Sequence, residues 1–594
     1  MEITQRYKRQ LGLVYQETIQ NLDILITGNN TILPYLLTNL SFLGVGSSKG
    51  GLHLYDDGSK LTSQDLIGQL FFHKDDIDLP LWQAAKNSIS RINDDIYVYN
   101  NTDPNSIYFD IVVALPFLDG SSPQIPENQK VIWGQISNFS IFIGNKKVKT
   151  PRLERNILTP SLSSLCAGLI SQEILRITDC IRPSDITKTW ITVNYLFKRN
   201  NALETYEREP AIFRKIITSE DLKAHLEEPK ENSGKKDSAV YRVELPIESR
   251  LHEFIIDSIK VLEKSPAEIR YPTSSLFFSP IDDCLLENGE IIEPTIDIPN
   301  KILPQKILLL GVGGLGSWLA SLLAVAEPKD LELIIVDEDL MVEQHNLNRQ
   351  ILFTPNDVGL PKAIAAANRL KAINSSLNIQ AYVGSISFET IRCYREHDML
   401  SPQEFDKIWG SDIIRDNDPF VKMNRKMDLD KTLATQVDRA DIVVSCLDSL
   451  FIKYVASVLA YCRKTTLVNA GSQHFEGNVD LIPHEKGCLL CWHGDSIKYR
   501  KERFSCGEQA SDTPSIVTTT SIIASIQTAI LLSYLFKIGK PKHYVHYRGK
   551  GNVLSPCNLS ETNCPLHRKK PGCPDHLNWS DKNLEENNSL YKFF

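Results

Sequence analysis

Apolar and polar stretches alternate along this chain in a way that divides it into two similar halves. Short apolar runs typical of buried strands are separated by longer runs with helical spacing. The paired runs are 22–28 and 306–311, 52–57 and 331–339, 109–117 and 440–449, 160–177 and 515–535, and 190–197 and 543–549. Because strands and helices alternate, we predict two α/β domains with mostly parallel sheets.

Breaks in this pattern predict the domain boundaries. A polar stretch, EEPKENSGKKDS, follows the first half, and a charged stretch interrupts the second. We read the interruption as a surface excursion. The predicted parts are a first domain at 1–226, a linker and intervening segment at 227–300, a second domain at 301–387 and 437–580, its insertion at 388–436, and a tail at 581–594.

Composition and charge narrow the class of protein. The chain has 594 residues and a net charge of −8, so it has no electrostatic footprint for nucleic acid. The longest apolar run, 516–536, contains Ser, Thr and Gln and predicts a buried helix rather than a membrane span. The N-terminus lacks the apolar region of a signal peptide. We therefore expect a cytoplasmic protein whose 12 cysteines are metal ligands, a nucleophile and core thiols.

A glycine-rich turn follows the first strand of the second half, in the sequence ILLLGVGGLGS. Its glycines are Gly311, Gly313, Gly314 and Gly316. A strand, a turn of this kind and a helix together form a phosphate site at the helix N-terminus. Asp337 lies 21 residues after Gly316, near the ~20-residue spacing of an acid that binds a ribose hydroxyl.

Further polar residues point to ATP rather than to a nicotinamide. Arg349 and Lys362 can offset phosphate charge, and Asp448 follows the apolar strand DIVVSC. A carboxylate at the carboxyl edge of a parallel sheet suits Mg²⁺, which is held by one or two carboxylates and by phosphates. The turn alone would also fit a dehydrogenase, but this cationic segment followed by Asp448 does not belong to a hydride-transfer site.

The first half has lost these groups. GNNTIL (28–33) replaces the glycine-rich turn, Leu81 takes the place of Lys362, and Leu115 or Pro116 stands near the place of Asp448. We therefore expect the first half to keep the fold without binding ATP. One polar group survives at its start, Arg9 in the sequence RYKRQ.

This division between the halves resembles a known family. The second half is similar to the adenylation domain of E1-type activating enzymes and of the ThiF/MoeB proteins, through GVGGLGS (311–317), DED (337–339), NLNRQILF (346–353), DVGLPK (357–362) and CLDS (446–449). The first half resembles the inactive adenylation domain of E1 enzymes, chiefly through RYKRQLGL (6–13). The resemblance implies two Rossmann-like adenylation domains that form a pseudo-dimer in one chain.

The resemblance also implies roles for particular residues. Asn346 and Gln350 would join the ATP site, and Arg9 would cross into it from the inactive half. Cys506 has the position of the cysteine that forms a thioester in E1 enzymes, although Gly507 departs from their usual Thr. The basic neighbours of Cys506 favour its thiolate. Cys284 and Cys393 stay open as reactive thiols, whereas Cys166, Cys446 and Cys462 lie in apolar runs and predict core thiols.

A zinc site is predicted from the remaining cysteines. Cys488 and Cys491 have the spacing of one ligand pair, and Cys564 with His567 is the best second pair. Cys573 and Cys557 are alternatives for the fourth ligand. We expect a closed, structural site. The alternative, a redox pair at Cys488 and Cys491, lacks a thioredoxin-like context.

The implied function is that of an E1-like enzyme. With Mg·ATP it would adenylate the C-terminal carboxylate of a ubiquitin-like protein, form a thioester on Cys506 and transfer the protein to an E2-like partner. The alternative is an adenylating enzyme for a ribosomal peptide or a sulfur-carrier protein. A non-enzymatic scaffold would fit the first half alone, because the second half keeps its complete polar set.

Overall fold

The computed structural model describes both halves of the chain with several gaps. The residues described are 7, 10–55, 58–101, 108–117, 121–126, 128–182, 275–298, 305–328, 331–384, 439–448, 452–453, 456–457, 460, 464–487, 489 and 514–557. Residues 1–181 and 275–594 belong to one compact unit, which contains all the strands and helices of the described residues.

The first half forms a seven-stranded sheet in the order β3-β2-β1-β4-β5-β6-β7. Its strands are β1 (Asp23–Thr27), β2 (Gly51–Tyr55), β3 (Val98–Asn101), β4 (Ile111–Ala114), β5 (Val131–Ile136), β6 (Ile141–Gly144) and β7 (Leu276–Phe278). The first five strands in this order run parallel, and β6 and β7 are antiparallel to their neighbours. A short hairpin, β8 (Leu285–Glu287) and β9 (Glu290–Ile292), follows.

The second half forms an eight-stranded sheet in the order β12-β11-β10-β13-β14-β15-β16-β17. Its strands are β10 (Gln305–Leu310), β11 (Leu331–Asp337), β12 (Asn378–Val383), β13 (Ile442–Ser445), β14 (Thr466–Gln473), β15 (Glu476–Ile482), β16 (Tyr544–Arg548) and β17 (Val553–Cys557). Again the first five strands in this order are parallel and the remainder antiparallel.

Helices cover the two sheets. They are α1 (Gln16–Gln20), α2 (Leu33–Leu43), α3 (Leu81–Ile92), α4 (Thr159–Ile177), α5 (Gly314–Ala326), α6 (Lys362–Ile373) and α7 (Val517–Leu535). Every residue of the central strands β4 and β13 is buried. This explains why those strands are continuous apolar runs rather than alternating ones, since both faces of a parallel sheet are covered.

The two sheets have the same strand order, which confirms the predicted pair of α/β folds with mostly parallel sheets. One correspondence differs from the expected repeat. The position of β16 in the second sheet is taken in the first sheet by β7, from residues 276–278. Residues 190–197, the segment that the sequence comparison paired with 543–549, lie outside the described residues.

The long helices α4 and α7 pack against each other and join the halves. A Cβ at Gly168 would lie 2.7 Å from Ser521 Oγ, so the small residue permits close approach. Polar pairs cross the contact. Thr518 Oγ1 donates to Gln172 Oε1 at 2.7 Å, and Ser525 Oγ donates to Ser164 Oγ at 2.8 Å.

The expectation for the run at 516–536 is confirmed: α7 is an interior helix. Among the described residues, α7 is the one helix whose length and composition would suit a membrane span. However, 94% of its most apolar 18-residue stretch is buried inside the protein. The core helix of a globular domain has the same length and composition.

Candidate active site

A glycine-rich turn joins β10 to α5. Gly311 has a φ of +86°, and its N–H donates to the carbonyl oxygen of Val336 at 2.8 Å. A Cβ at Gly316 would lie 1.9 Å from the carbonyl oxygen of Gly311. Both positions therefore require glycine for the chain to follow this path.

Gly313 has a different environment. Its φ is −71°, and a Cβ there would have a single neighbour within 4 Å among the described residues, Gln350 Nε2 at 4.0 Å. Gly313 immediately precedes α5, whose first N–H groups have no partner within the helix. The turn therefore leaves space beside the helix N-terminus, where an anion is stabilised.

Asp337 lies beside this turn because β10 and β11 are parallel neighbours. Its Oδ2 accepts a hydrogen bond from the N–H of Val312 at 2.6 Å, and its Oδ1 accepts one from the N–H of Asp339 at 2.9 Å. The residue is 7% exposed. Burial raises the pKa of the Asp337 carboxyl above its ordinary value, although the nearby Lys362 ammonium opposes that shift.

Lys362 is the first residue of α6 and is 6% exposed. Its Nζ forms an ion pair with Oδ2 of Asp339, and its N–H donates to the carbonyl oxygen of Asp339 at 3.2 Å. Asp339 thus fixes the buried ammonium beside Asp337. Sequence reasoning gave Asp339 no role, although it stands two residues after Asp337 in the same acidic run, DED.

Arg349 is tied to the helix after the glycine-rich turn. Its carbonyl oxygen accepts a hydrogen bond from Trp318 Nε1 of α5 at 3.2 Å. Its Nη1 donates to the carbonyl oxygen of His345 at 2.9 Å and to Asn348 Oδ1 at 3.1 Å. Its Nε lies 3.9 Å from the point that a Cβ of Gly314 would occupy. The guanidinium therefore borders the N-terminus of α5.

Asn346 and Gln350 complete this side of the turn. Asn346 is buried, and its Oδ1 accepts the N–H of Glu343 at 2.9 Å, which closes a 3₁₀ turn. Gln350 is 2% exposed, and its Oε1 has no hydrogen-bond partner among the described residues. A buried acceptor without a donor is costly. The other amide atom of Gln350, Nε2, is the described atom nearest to the open space beside Gly313 and can donate to a ligand there.

Asp448 is exposed and lies three residues beyond the end of β13. The carbonyl oxygen of Cys446, two residues earlier, lies 3.1 Å from the point that a Cβ of Gly311 would occupy. The end of β13 therefore approaches the glycine-rich turn, and Asp448 follows from it at the carboxyl edge of the parallel strands.

In the first half, other residues of the chain lie against the corresponding turn. Gly28 has a φ of +89°, as Gly311 does, but its Cβ would lie 1.7 Å from the carbonyl oxygen of Leu115 and 3.4 Å from Pro123 Cβ. Thr27 Oγ1 donates to the carbonyl oxygen of Gln124 at 2.9 Å, and Tyr55 Oη donates to Oε1 of the Gln124 side chain at 3.0 Å. Asn30 stands at the place of Gly313, and its Nδ2 donates to the carbonyl oxygen of Pro116 at 2.9 Å, so the first half fills this place with its own side chain.

Register identifies the residues that replace the second half's charged groups. The N–H of Leu61 donates to the carbonyl oxygen of Leu79 at 3.0 Å, as Val342 donates to Leu360 at 2.7 Å. These equivalent contacts make Leu81 the counterpart of Lys362.

The strand pairs Thr27–Ala114 and Leu310–Ser445 locate the counterpart of Asp448. It is Phe117, next to the Leu115 and Pro116 that the sequence places near this position, and it has no carboxylate.

The described cysteines with placed side chains are all buried: Cys166, Cys180, Cys284 and Cys446. Burial raises the pKa of Cys284 to about 11 and that of Cys446 to about 12. These thiols are therefore protonated near neutral pH. Cys446 is a core residue as expected, and Cys284 lacks the exposed, electropositive surroundings of a reactive thiol.

Several predicted residues lie outside the described residues, namely Arg9, Cys488, Cys491, Cys506, Cys564, His567 and Cys573, with Cys393 and Cys462. Cys557 ends β17, and only its backbone is described. In the described part of the chain, no group of three or more His, Cys, Asp or Glu side chains could hold a metal ion. The zinc site and the thioester-forming cysteine stay predictions.

A glycine-rich turn, a helix N-terminus and buried charged groups meet on one of the two similar α/β folds, and comparison with known proteins shows which family this half resembles. Residues 296–574 match the model of the ThiF family. The match covers 279 of the 594 residues, so the second half of this chain resembles a ThiF family domain.

Individual relatives cover only part of this chain. The sulfur carrier protein ThiS adenylyltransferase of Escherichia coli K12 is 25% identical over 34% of this chain and 63% of its own length. The NEDD8-activating enzyme E1 catalytic subunit of Arabidopsis thaliana is 34% identical over 20% of this chain and 27% of its own. The chain thus spans less than two thirds of the length of either relative.

A likeness to a solved structure is weaker. The crystal structure of E. coli MccB with ATP has 19% identity and a TM-score of 0.31, over 44% of this chain and 66% of that chain. At that TM-score the superposition carries no argument about this site.

Proposed function

We propose that this chain is an E1-like adenylyltransferase that uses Mg·ATP to activate the C-terminal carboxylate of a ubiquitin-like protein. One contrast carries the proposal. The second half keeps a glycine-rich turn with open space beside Gly313, next to which lies Gln350 Nε2. The first half has Asn30 at the position of Gly313, and its buried side chain donates to the carbonyl oxygen of Pro116 at 2.9 Å. A ligand site maintained in one copy and closed in the other supports a single nucleotide site.

The residues around the turn suit ATP as substrate. The phosphates would lie at the N-terminus of α5, beside Gly313, with Arg349 and Lys362 offsetting their charge. Asp337 would accept a ribose hydroxyl, because its Oδ2 already faces the turn through the N–H group of Val312. Asn346 would support the Gln350 segment through its 3₁₀ turn.

The proposed reaction is a substitution at the α-phosphorus of ATP. A carboxylate oxygen of the substrate protein forms a bond to the α-phosphorus, and the bond from that phosphorus to the bridging oxygen of the β-phosphate breaks. Pyrophosphate leaves and an acyl adenylate remains. The chain acts here by holding the reactants and by stabilising charge with preplaced cations.

Asp448 would hold Mg²⁺ together with the phosphates. The fit rests on the donor set, since Mg²⁺ uses one or two carboxylates and keeps several waters. Asp448 is an exposed carboxylate at the sheet edge that carries the turn. When bound, Mg²⁺ would neutralise phosphate charge.

Arg9 would add a cation from the inactive half. Support comes from Gly12, three residues downstream, where a Cβ would lie 3.3 Å from Pro514 Cγ. Pro514 precedes α7, and Thr520 Cγ2 of α7 lies 3.1 Å from the point that a Cβ of Gly314 would occupy. The segment around Gly12 is therefore linked to the glycine-rich turn through Pro514 and α7. Arg9→Ala should impair adenylation, and a normal rate would refute this crossing.

A thioester on Cys506 and transfer to an E2-like protein form the next step. The Cys506 thiolate would attack the acyl carbon, and the bond to the phosphate oxygen would break to release AMP. Zn²⁺ would be held by Cys488, Cys491, Cys564 and His567, with Cys573 as the alternative, in a structural role. A cytoplasmic location is part of the same proposal.

A second candidate is the activation of a sulfur-carrier protein or a ribosomal peptide. It is favoured by the likeness to the ThiS adenylyltransferase of E. coli. In this case Cys506 would be dispensable. The two candidates share the adenylation site and differ in the fate of the acyl adenylate.

ATP–pyrophosphate exchange tests the shared step. It is measured with candidate small proteins that end in glycine and are encoded beside this chain. Asp448→Ala should abolish exchange, whereas Lys86→Ala, an exposed lysine of α3, should not change it. Full exchange by Asp448→Ala would sink the site assignment. Cys506→Ala should keep exchange and lose a thiol-sensitive gel shift; a wild-type chain that supports exchange but shows no such shift would favour the second candidate.

A further inference from the structure

A buried polar network lies beneath the carboxyl edge of the second sheet. It occupies the face of β14 and β15 opposite to α7 and contains Asn469, Asn478 and Asp480. Asp480 is fully buried, and its Oδ2 accepts hydrogen bonds from Asn469 Nδ2 and Asn478 Nδ2, both at 2.8 Å. An ionised carboxylate at such a position is costly unless a positive charge accompanies it.

Lys453 supplies a positive charge on the same face. The residue is 8% exposed, so its ammonium is also withdrawn from water. Lys453 Nζ lies 2.8 Å from the point that a Cβ of Gly471 would occupy, and Asn478 Oδ1 lies 3.3 Å from that point. The ammonium and the amide that binds Asp480 therefore share the space left by the missing side chain of Gly471.

The position of Lys453 along the chain connects this network to the proposed Mg²⁺ ligand. Lys453 follows Asp448 by five residues, in the segment that leads from β13 to β14. Gly471 stands two residues beyond Asn469, the last residue of β14 paired with β13. The ammonium is thus fastened to the sheet at the edge from which Asp448 emerges.

We propose that Lys453 is a positioning residue for Asp448: its ammonium lies against Gly471 beside the buried Asn478–Asp480 pair and anchors the chain five residues after Asp448, so that the Asp448 carboxylate is placed for Mg²⁺. This inference rests on the proposed function. It adds to the proposed function a positioning role for a buried lysine that does not contact the nucleotide. Residues that orient a metal ligand typically change metal affinity by about 10- to 100-fold when they are lost.

The glycine offers a way to displace the ammonium without removing it. Gly471→Ala would place a methyl group 2.8 Å from Nζ, at the end of a flexible side chain that can move away at little cost to the fold. Lys453→Met removes the charge and keeps the length, but leaves Asp480 buried without it. The double variant Lys453→Met/Asp480→Asn removes both charges and restores a neutral core.

The experiment measures ATP binding to the full chain by calorimetry, at several Mg²⁺ concentrations and in EDTA, with melting temperature as a second readout. We expect Gly471→Ala and Lys453→Met to weaken the apparent Mg²⁺ affinity by about 10-fold or more, with ATP affinity in EDTA unchanged. The double variant should regain the melting temperature lost by Lys453→Met but not the Mg²⁺ affinity. Lys86→Met should match the wild type.

Two outcomes would overturn the assignment. One is wild-type Mg²⁺ dependence in Gly471→Ala and Lys453→Met. The other is recovery of Mg²⁺ affinity in the double variant, which would reduce Lys453 to a partner for Asp480 in the core. A wild-type chain that binds no ATP with or without Mg²⁺ would instead reject the proposed function itself.

Discussion

Replacing Lys362 by leucine gives the second half the residue that the first half has at the same position. The counterpart residue is Leu81, which begins α3 as Lys362 begins α6. The two residues are buried to a similar degree, at 7% and 6% exposure. The chain therefore already contains a folded example of leucine at this position, so Lys362→Leu tests charge rather than packing.

The expected loss of folding stability in Lys362→Leu is smaller than the expected loss of ATP affinity. The ion pair with Asp339 is between a buried ammonium and a carboxylate whose side chain is 49% exposed, so its loss should cost no more than about 1 kcal/mol. Leucine fills much of the vacated volume. In contrast, a hydrogen bond from the ammonium to a phosphate is worth about 1.5–3 kcal/mol. That corresponds to a roughly 10- to 150-fold weaker affinity for ATP.

Calorimetric titration with ATP and with adenosine separates phosphate binding from nucleoside binding. Lys362→Leu should weaken ATP binding by that factor, leave adenosine binding near the wild-type value and change the melting temperature little. Lys86→Leu, on the exposed face of α3, is the control. The reasoning fails if ATP binds the variant as tightly as the wild type, or if ATP and adenosine lose affinity equally.

Contacts of the described residues support three further predictions. Gly313→Ala should fold normally, because its Cβ would point into open space, and should lose ATP binding, because the methyl group would occupy the space proposed for the phosphates. Gly316→Ala should unfold at a lower temperature, because its Cβ would clash with a backbone oxygen. Thermal melts and calorimetry check both. Burial raises the pKa of Asp337, so the native state holds this proton more tightly than the unfolded chain, and stability should fall as pH rises above about 4; Asp337→Asn should flatten that part of the melting-temperature profile. Gln172→Leu would leave the Thr518 hydroxyl without its acceptor and remove one of the two donors to the Gly549 carbonyl oxygen, so denaturant unfolding should show a loss of about 1–3 kcal/mol.

The sequence predicts those parts of the site that depend on local pattern. The glycine-rich turn and Asp337 are recoverable because a strand, a tight turn and a helix have fixed spacing, and parallel pairing then brings Asp337 to the turn. Lys362 is recoverable because it begins a helix after a recognisable segment. Neither prediction depends on the path of a distant loop.

Other features depend on contacts that no local pattern encodes. Asp339 gains its importance from an ion pair across 23 residues, and Gln124 reaches the first turn from 97 residues away. The three-residue strand β7 is too short to show alternation, so its place in the first sheet follows only from pairing with β6. Such assignments need the tertiary structure because several sequence positions could satisfy the same pairing.

The packing of α7 links the first half to the candidate site of the second half. The α7 helix is buried along its length, and much of its cover is α4 of the first half. At its start, α7 places Thr520 against Gly314 in the glycine-rich turn. Removing the first half would expose this apolar helix and release the residue that borders the turn. The first half therefore supports the glycine-rich turn of the second half through α7.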